Sequence, residues 1–100
     1  LYEYIANKQP IGFYFDIKPF TNHTIQLQKN DLIYLSTDGY PDQFGGEKGK
    51  KFKYKALKEM LLQNSNLTQK EQKEKLETVF NDWKGALEQV DDVCVIGVRL

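Results

Sequence analysis

Three acidic residues lie at the ends of two apolar segments of this sequence. Asp38 follows the apolar segment 32–35 closely, and Asp91 and Asp92 come directly before the apolar segment 93–98. Carboxylates fixed at the end of a rigid strand are the oxygen ligands that hard cations require. If the two segments are antiparallel neighbours, these carboxylates converge, and a cation or proton must then lie between them. The pattern thus indicates a metal site, with ordinary turn chemistry at Asp-Gly as the alternative.

Other candidate ligands are scarce. His23 is the only histidine and lies among polar residues, so we expect a surface side chain rather than a zinc or catalytic group. Cys94 is the only cysteine and falls within an apolar strand pattern, which predicts a buried thiol in a reducing cytosol. We therefore expect a cytoplasmic protein.

Length and charge exclude several classes of protein. One hundred residues form one small domain, and 14 basic residues balance 14 acidic ones. No global field therefore favours nucleic acid or an anionic membrane. No apolar run approaches the roughly 18 residues of a membrane span, and no signal peptide opens the chain. The chain begins without Met inside a strand-like segment, so we expect it to be a piece of a longer protein.

The first part of the chain has the patterns of a β-protein. Segment 1–6 is typical of a short strand, and the aromatic residues 13–15 suggest an edge strand or a packed loop that covers the core. Segment 21–28 alternates apolar and polar residues, which predicts a half-buried strand. With the run 32–35, expected to be buried on both faces, it forms a predicted hairpin over residues 21–37.

A loop and a basic helix follow. Residues 40–49 contain three glycines and a proline, which predicts a flexible loop of the kind that closes sites; its spacing is not that of a P-loop. An apolar face predicts a helix over residues 50–63. Six lysines crowd its start, and they form either a solvated face or a surface for a phosphorylated or acidic partner: Lys48, Lys50, Lys51, Lys53, Lys55 and Lys58.

A second helix is predicted from its capping signal. Thr68 and Glu71 match a capping box, and Gly85 marks the expected helix end. The residues spaced as a core-facing stripe are Leu76, Val79, Phe80, Trp83 and Leu87. A final strand begins at Val93. Strands, then two helices, then a strand indicate an α+β fold, a mainly antiparallel sheet with two helices on one face.

Three motifs in this order carry a resemblance to a known family. They are Ser36-Thr37-Asp38-Gly39, Asp42-Gln43-Phe44-Gly45-Gly46 and Asp91-Asp92-Val93-Cys94-Val95-Ile96. With them the chain resembles the C-terminal part of the metal-dependent serine/threonine phosphatases (PPM family), in the bacterial branch related to stage II sporulation protein E. The loop Gln9-Pro10-Ile11-Gly12 matches one that such domains carry.

The resemblance implies a fold and a metal site. It implies the C-terminal portion of an α-β-β-α sandwich that holds two Mn²⁺ or Mg²⁺ ions, whose bound water attacks phosphorus. Asp38 and Asp91 match the family's metal ligands, and Asp92 ranks third. The family's earlier Asp-Gly and Gly-His-Gly motifs are absent, and Asp16 and Asp31 lack the context to replace them. We therefore expect an incomplete and inactive fragment.

The resemblance also implies partners. The substrate would be a phosphorylated regulatory protein of the anti-sigma-factor antagonist type, with sensor domains upstream that can tether the protein to a membrane. Uncovered sheet surface would favour a homodimer or a swapped partner. The rival interpretation is a non-catalytic interaction module, in which the basic helix and the glycine-rich loop bind a partner and the carboxylates belong to turns.

Overall fold

The computed structural model describes residues 1–13 and 15–100. The elements of this part of the chain are β1 (Leu32–Ser36), β2 (Phe44–Gly45), β3 (Lys50–Lys51), α1 (Tyr54–Gln63), α2 (Gln69–Lys84) and β4 (Val95–Arg99). Antiparallel strand pairs combined with helices confirm the predicted α+β class. None of the helices in the described residues is long and apolar enough to cross a membrane.

Strands β1 and β4 are antiparallel neighbours, as the sequence predicted. Ser36 lies opposite Val95 at one end of the pair, and Leu32 lies opposite Arg99 at the other. The C-terminal end of β1 therefore meets the N-terminal end of β4. This pairing brings the two acidic segments of the sequence to the same edge.

The two faces of this strand pair differ in burial. The Tyr34 hydroxyl donates a 2.6 Å hydrogen bond to Gln72 of α2, so this side chain faces the helix. On the other face, Leu35 is 64% exposed and its cross-strand partner Ile96 is 50% exposed. The prediction that β1 is buried on both faces was wrong for this chain, because a helix covers one face and the other remains open.

The first half of the glycine-rich segment 40–49 is packed into the core rather than forming a flexible loop, while residues 46–49 are exposed. Tyr40 is 2% exposed and Gln43 is 0% exposed. The indole N–H of Trp83 donates to the Gln43 carbonyl at 2.9 Å, and the Gly46 N–H donates to the Trp83 carbonyl at 3.0 Å. The prediction failed because the glycines let α2 pack directly on this backbone.

Helix α1 begins later than predicted. Residues Lys50–Lys51 pair with Phe44–Gly45 in a short hairpin, and Lys53 has a φ of 77°. A residue with a left-handed φ cannot belong to a right-handed helix, so the helix begins at Tyr54. The predicted span 50–63 was therefore wrong over its first four residues and correct over the rest.

Helix α2 begins and ends as predicted. The Thr68 hydroxyl accepts the Glu71 N–H at 3.2 Å, and Gly85 ends the helix with a φ of 54°. Phe80 of the predicted stripe is buried, whereas Leu87 is exposed because the helix stops before it. The buried apolar core consists of Tyr40, Leu57, Leu61 and Phe80.

The segment before β1 has no helix or strand among its described residues. The strand predicted over 1–6 and the hairpin predicted over 21–37 are absent. Phe13 and Phe15 are exposed and do not cover the core, while Tyr14 lies outside the described residues. A strand needs a neighbour for its backbone hydrogen bonds, and β1 pairs with β4 instead of segment 21–28.

Side-chain hydrogen bonds, rather than a sheet, hold the N-terminal segment. The Asn7 amide accepts the Thr21 N–H at 2.8 Å and donates to the Thr21 hydroxyl at 3.2 Å. The Gln9 side-chain amide likewise accepts the Lys18 N–H at 3.0 Å and donates to the Lys18 carbonyl. The result is an irregular loop that is closed by two amide side chains.

Candidate functional site

Thr37 joins the end of β1 to the start of β4. Its N–H donates to the Cys94 carbonyl at 3.0 Å, and its hydroxyl oxygen accepts the Cys94 N–H at 3.0 Å. The same hydroxyl donates to the Asp92 carbonyl at 3.1 Å. Thr37 thus continues the ladder beyond β1 and fixes the residues on both sides of it. The Cys94 side chain is exposed, so the prediction of a buried thiol was wrong: Cys94 lies at the strand end, where no helix covers it.

Gly39 lies directly against the acidic pair at the start of β4. A Cβ at this position would lie 2.1 Å from the Asp92 carbonyl oxygen and 3.2 Å from a methyl group of Val93. No side chain fits there without moving the Asp92 backbone. Glycine is therefore required for close approach of the two strand ends, not only for a turn.

Asp38 presents a free carboxylate beside this contact. Its side chain is exposed and makes no hydrogen bond or ion pair with the described residues, while its carbonyl accepts the Asp42 N–H at 2.9 Å. Burial raises the pKa of the Tyr54 hydroxyl, and the nearby charges of Asp38, Asp42 and Glu3 raise it further. Asp38 and Asp42 therefore create a local negative potential next to Tyr54.

Asp91 is held by local hydrogen bonds. One carboxylate oxygen accepts the Asp92 N–H at 2.7 Å, and the Asp91 carbonyl accepts the Gln89 side-chain amide at 2.9 Å. Upstream, the buried Gln43 amide donates to the Glu88 carbonyl at 2.8 Å and so ties this segment to the glycine-rich loop. Asp91 keeps its second carboxylate oxygen for another ligand.

The donor chemistry fits part of a site for a hard cation. Asp38 and Asp91 offer carboxylate oxygens from two backbones in contact, which suits Mg²⁺ or Mn²⁺. Residues 1–13 and 15–100 contain no group of three or more His, Cys, Asp or Glu side chains that could hold a metal. The antiparallel placement is confirmed, whereas the assignment of Asp38 and Asp91 as ligands stays a prediction.

The other candidate ligands lie elsewhere. Asp16 lies 3.9 Å from the Lys18 ammonium group, and the Asp31 carboxylate accepts the Gln28 N–H at 2.8 Å. His23 is exposed, as predicted, and its ring packs edge-on against Tyr4. None of these residues joins Asp38 in a metal-binding group of the described chain.

Sequence reasoning missed three residues that shape the site. Thr37 could have been found, because a hydroxyl residue directly before Asp-Gly at a strand end is placed to bond the neighbouring strand. Gln43 was named only as part of a motif, and nothing in the sequence indicated its burial, since a polar residue in a glycine-rich segment is ordinarily solvated. Tyr54 was assigned only to a helix, and its place beside Asp38 depends on the fold.

Comparisons with known proteins identify a matching family and a similar fold. The family model for stage II sporulation protein E (SpoIIE) matches residues 2–100. Among solved structures, the SiaA-PP2C domain of Pseudomonas aeruginosa is similar, with 33% sequence identity and a TM-score of 0.67 over 69% of this chain. The match spans 28% of that neighbour's chain. No curated protein sequence matches.

Proposed function

Because this chain belongs to the SpoIIE family, we propose that it is the C-terminal part of a metal-dependent protein serine/threonine phosphatase. The observation that carries the proposal is the contact between Gly39 and the Asp92 backbone. This contact supports the proposal, because it joins the backbone beside Asp38 to the backbone beside Asp91 at the edge where the family resemblance expects two metal ligands. The similarity to a PP2C domain supports the same reaction class.

Each residue at this edge has a distinct role in the proposal. Asp38 and Asp91 each contribute a carboxylate to Mn²⁺ or Mg²⁺, two ions being expected in the complete domain. Such ions supply an activated water and neutralise charge on the phosphoryl group. Thr37 holds the strand ends together, and Gly39 permits their close approach. Gln43 anchors the segment that leads to Asp91.

The rest of the site would come from sequence upstream of Leu1. The described residues contain no group of three or more candidate metal ligands, and the affinity for a hard cation depends on the number of charged ligands. The neighbouring structure is also much longer than the matched part. We therefore infer that the 100 residues alone do not turn over substrate.

The open face of the β1–β4 pair supports the same arrangement. Leu35 and Ile96 are exposed there, although apolar sheet faces are normally covered. In the extended protein the first half of the sandwich would cover this face. In the isolated chain a homodimer would do so.

The proposed substrate is a phosphorylated signalling protein in the cytoplasm. By family resemblance it is of the anti-sigma-factor antagonist type, and upstream sensor modules would regulate its dephosphorylation. Asp38 and Asp91 would hold only the ions that bind the phosphoryl group, so the identity of the protein substrate depends on other surfaces of the domain.

A phosphatase assay with Mn²⁺ and a phosphoserine peptide tests the proposal. We expect turnover by the protein extended upstream of Leu1 and none by the 100-residue chain. In the extended protein, Asp38→Asn or Asp91→Asn should lower the rate roughly a thousandfold, which corresponds to about 4 kcal/mol of lost transition-state stabilisation. Asp16→Asn is the matched control and should leave the rate unchanged.

Two results would contradict the proposal. Full activity of the extended Asp38→Asn, Asp91→Asn double variant would remove the metal-ligand assignment. Metal-dependent activity of the 100-residue chain, lost on Asp38→Asn, would show that the site needs no upstream residues. A pure interaction module predicts no Mn²⁺-dependent turnover at any length.

A further inference from the structure

Positive charge is concentrated in one short part of the chain. Residues 48–58 contain six lysines and no acidic residue, although the whole chain has 14 basic and 14 acidic side chains. The remaining residues therefore carry a formal charge of −6, which balances +6 within eleven positions. The neutral total conceals a strongly basic segment.

Most of this charge is not neutralised within the chain. Lys51 lies 3.6 Å from the Asp42 carboxylate, and Lys58 pairs with Glu3. The other four lysines of the segment are exposed, and in the described part of the chain no carboxylate lies within ion-pair distance of them. We call these four residues the lysine surface: Lys48, Lys50, Lys53 and Lys55.

The backbone under the lysine surface is rigidly packed. Phe52, in its middle, packs edge-on against Tyr40 with ring centroids 5.3 Å apart and against Trp83 at 5.6 Å. The Phe52 N–H donates to the Gln43 carbonyl at 3.0 Å. Charges on an ordered backbone lose less entropy when they bind a partner than charges on a mobile loop.

Folding alone does not explain this arrangement. The first turn of α1 has no acidic residue, and its N-cap position holds Lys53 without a side-chain cap. Lysines at a helix N-terminus oppose the macrodipole and repel one another. Lys53 also has a φ of 77° and a ψ of 151°, a backbone conformation that is essentially restricted to glycine. An external acidic partner would offset the repulsion between the lysines and their unfavourable interaction with the helix dipole.

The lysine surface adjoins the candidate metal-binding edge. The Lys53 N–H donates to the Pro41 carbonyl at 2.7 Å, and the Asp42 N–H donates to the Asp38 carbonyl at 2.9 Å. We infer that the lysine surface docks an acidic segment of the phosphoprotein substrate, close to the residue that is dephosphorylated. This inference rests on the proposed phosphatase function. Docking would supply the recognition of the protein that Asp38 and Asp91 do not provide.

The surroundings favour an acidic protein over other polyanions. Asp38, Asp91 and Asp92 lie exposed at the neighbouring edge. A nucleic acid duplex or an anionic bilayer presents continuous negative charge that would meet these carboxylates as well as the lysines. A protein can place its acidic residues against the lysines alone.

Fluorescence anisotropy with two labelled phosphoserine peptides tests the inference. One peptide has glutamates around the phosphoserine, the other has glutamines, and the protein is the 100-residue chain without metal. We expect preferential binding of the glutamate peptide, weakened by added salt. Replacing all four lysines of the lysine surface by Gln should weaken it about tenfold, the size expected for losing several exposed ion pairs.

A second variant controls for net charge. Lys29, Lys70, Lys73 and Lys75 are exposed lysines outside the basic segment, and changing all four to Gln removes the same charge. This control should bind the glutamate peptide within about twofold of the unchanged chain, and circular dichroism should show both variants folded.

The outcomes separate this inference from the phosphatase proposal. Equal binding of the two peptides, equal losses in both variants, or tighter binding of duplex DNA or anionic vesicles at the lysine surface would each overturn it. If the glutamate peptide binds as expected while the extended protein shows no Mn²⁺-dependent turnover, the docking surface stands and the phosphatase proposal fails.

Discussion

The segment before β1 and the segment from β1 onward contain similar residues but fold differently. Tyr2 and Ile11 in the first are exposed, whereas Tyr40 in the second is almost fully buried. Both segments contain aromatic and β-branched residues in strand-like patterns. The difference is that β1 pairs with β4 and Tyr40 packs against Phe80 of α2, whereas none of the described residues before β1 takes part in a strand pair. Apolar pattern therefore predicts structure only where a partner is available to bury it.

The largest expected effect is a loss of folding stability when phenylalanine is replaced by alanine in the second segment but not in the first. Phe80→Ala removes a buried ring that contacts Tyr40 and should lower the free energy of unfolding by about 3–5 kcal/mol. Phe13→Ala removes a fully exposed ring and should change it by less than about 0.5 kcal/mol. Urea denaturation measures both. Similar losses for the two variants would show that the first segment packs in solution.

A second comparison concerns glycines. A Cβ at Gly45 would lie 1.9 Å from the Trp83 carbonyl oxygen, so Gly45→Ala should destabilise the chain by up to about 3 kcal/mol through overpacking. Gly12 has open space around it and a φ of 127°, so Gly12→Ala meets only backbone strain of about 1–2 kcal/mol, which an irregular loop can partly relax. Thermal unfolding followed by near-ultraviolet circular dichroism distinguishes them. A larger effect at Gly12 would contradict this account of the packed glycine-rich segment.

The smallest expected effect concerns the Tyr40 hydroxyl. It donates to the Leu76 carbonyl at 2.8 Å, so Tyr40→Phe should lose about 1 kcal/mol at pH 8, while Tyr2→Phe loses nothing measurable.

The same hydroxyl should give a pH dependence. Burial raises the pKa of Tyr40 above its usual value of 10.0. A group whose pKa is raised by folding contributes stability that is complete below its unfolded pKa and is lost as the pH rises toward the folded value. Stability should thus decline above about pH 10, and less steeply in Tyr40→Phe. An identical decline in both proteins would place the hydroxyl in solvent.

The sequence predicted features that depend on neighbouring residues and missed features that depend on contacts between residues far apart in the chain. The capping box at Thr68 and the helix end at Gly85 are local, so the sequence determined them. The edge that carries Asp38 and Asp91 needed only one correct strand pairing. The burial of Gln43, the packing of Trp83 on glycine backbone and the exposure of Cys94 depend on distant residues, and no local pattern contains them. The strand predicted over residues 21–28 is absent for the same reason, since a strand depends on a distant partner.

The central claim is that Asp38 and Asp91 together hold a divalent cation. Paramagnetic broadening of backbone amide signals by sub-stoichiometric Mn²⁺ tests it most directly, because it detects even weak binding at a defined place. The account predicts that the amides of Gly39 and Asp92 broaden together, that Asp38→Asn removes both effects, and that Asp16→Asn removes neither. Broadening elsewhere on the chain, or at only one of the two strand ends, would contradict it.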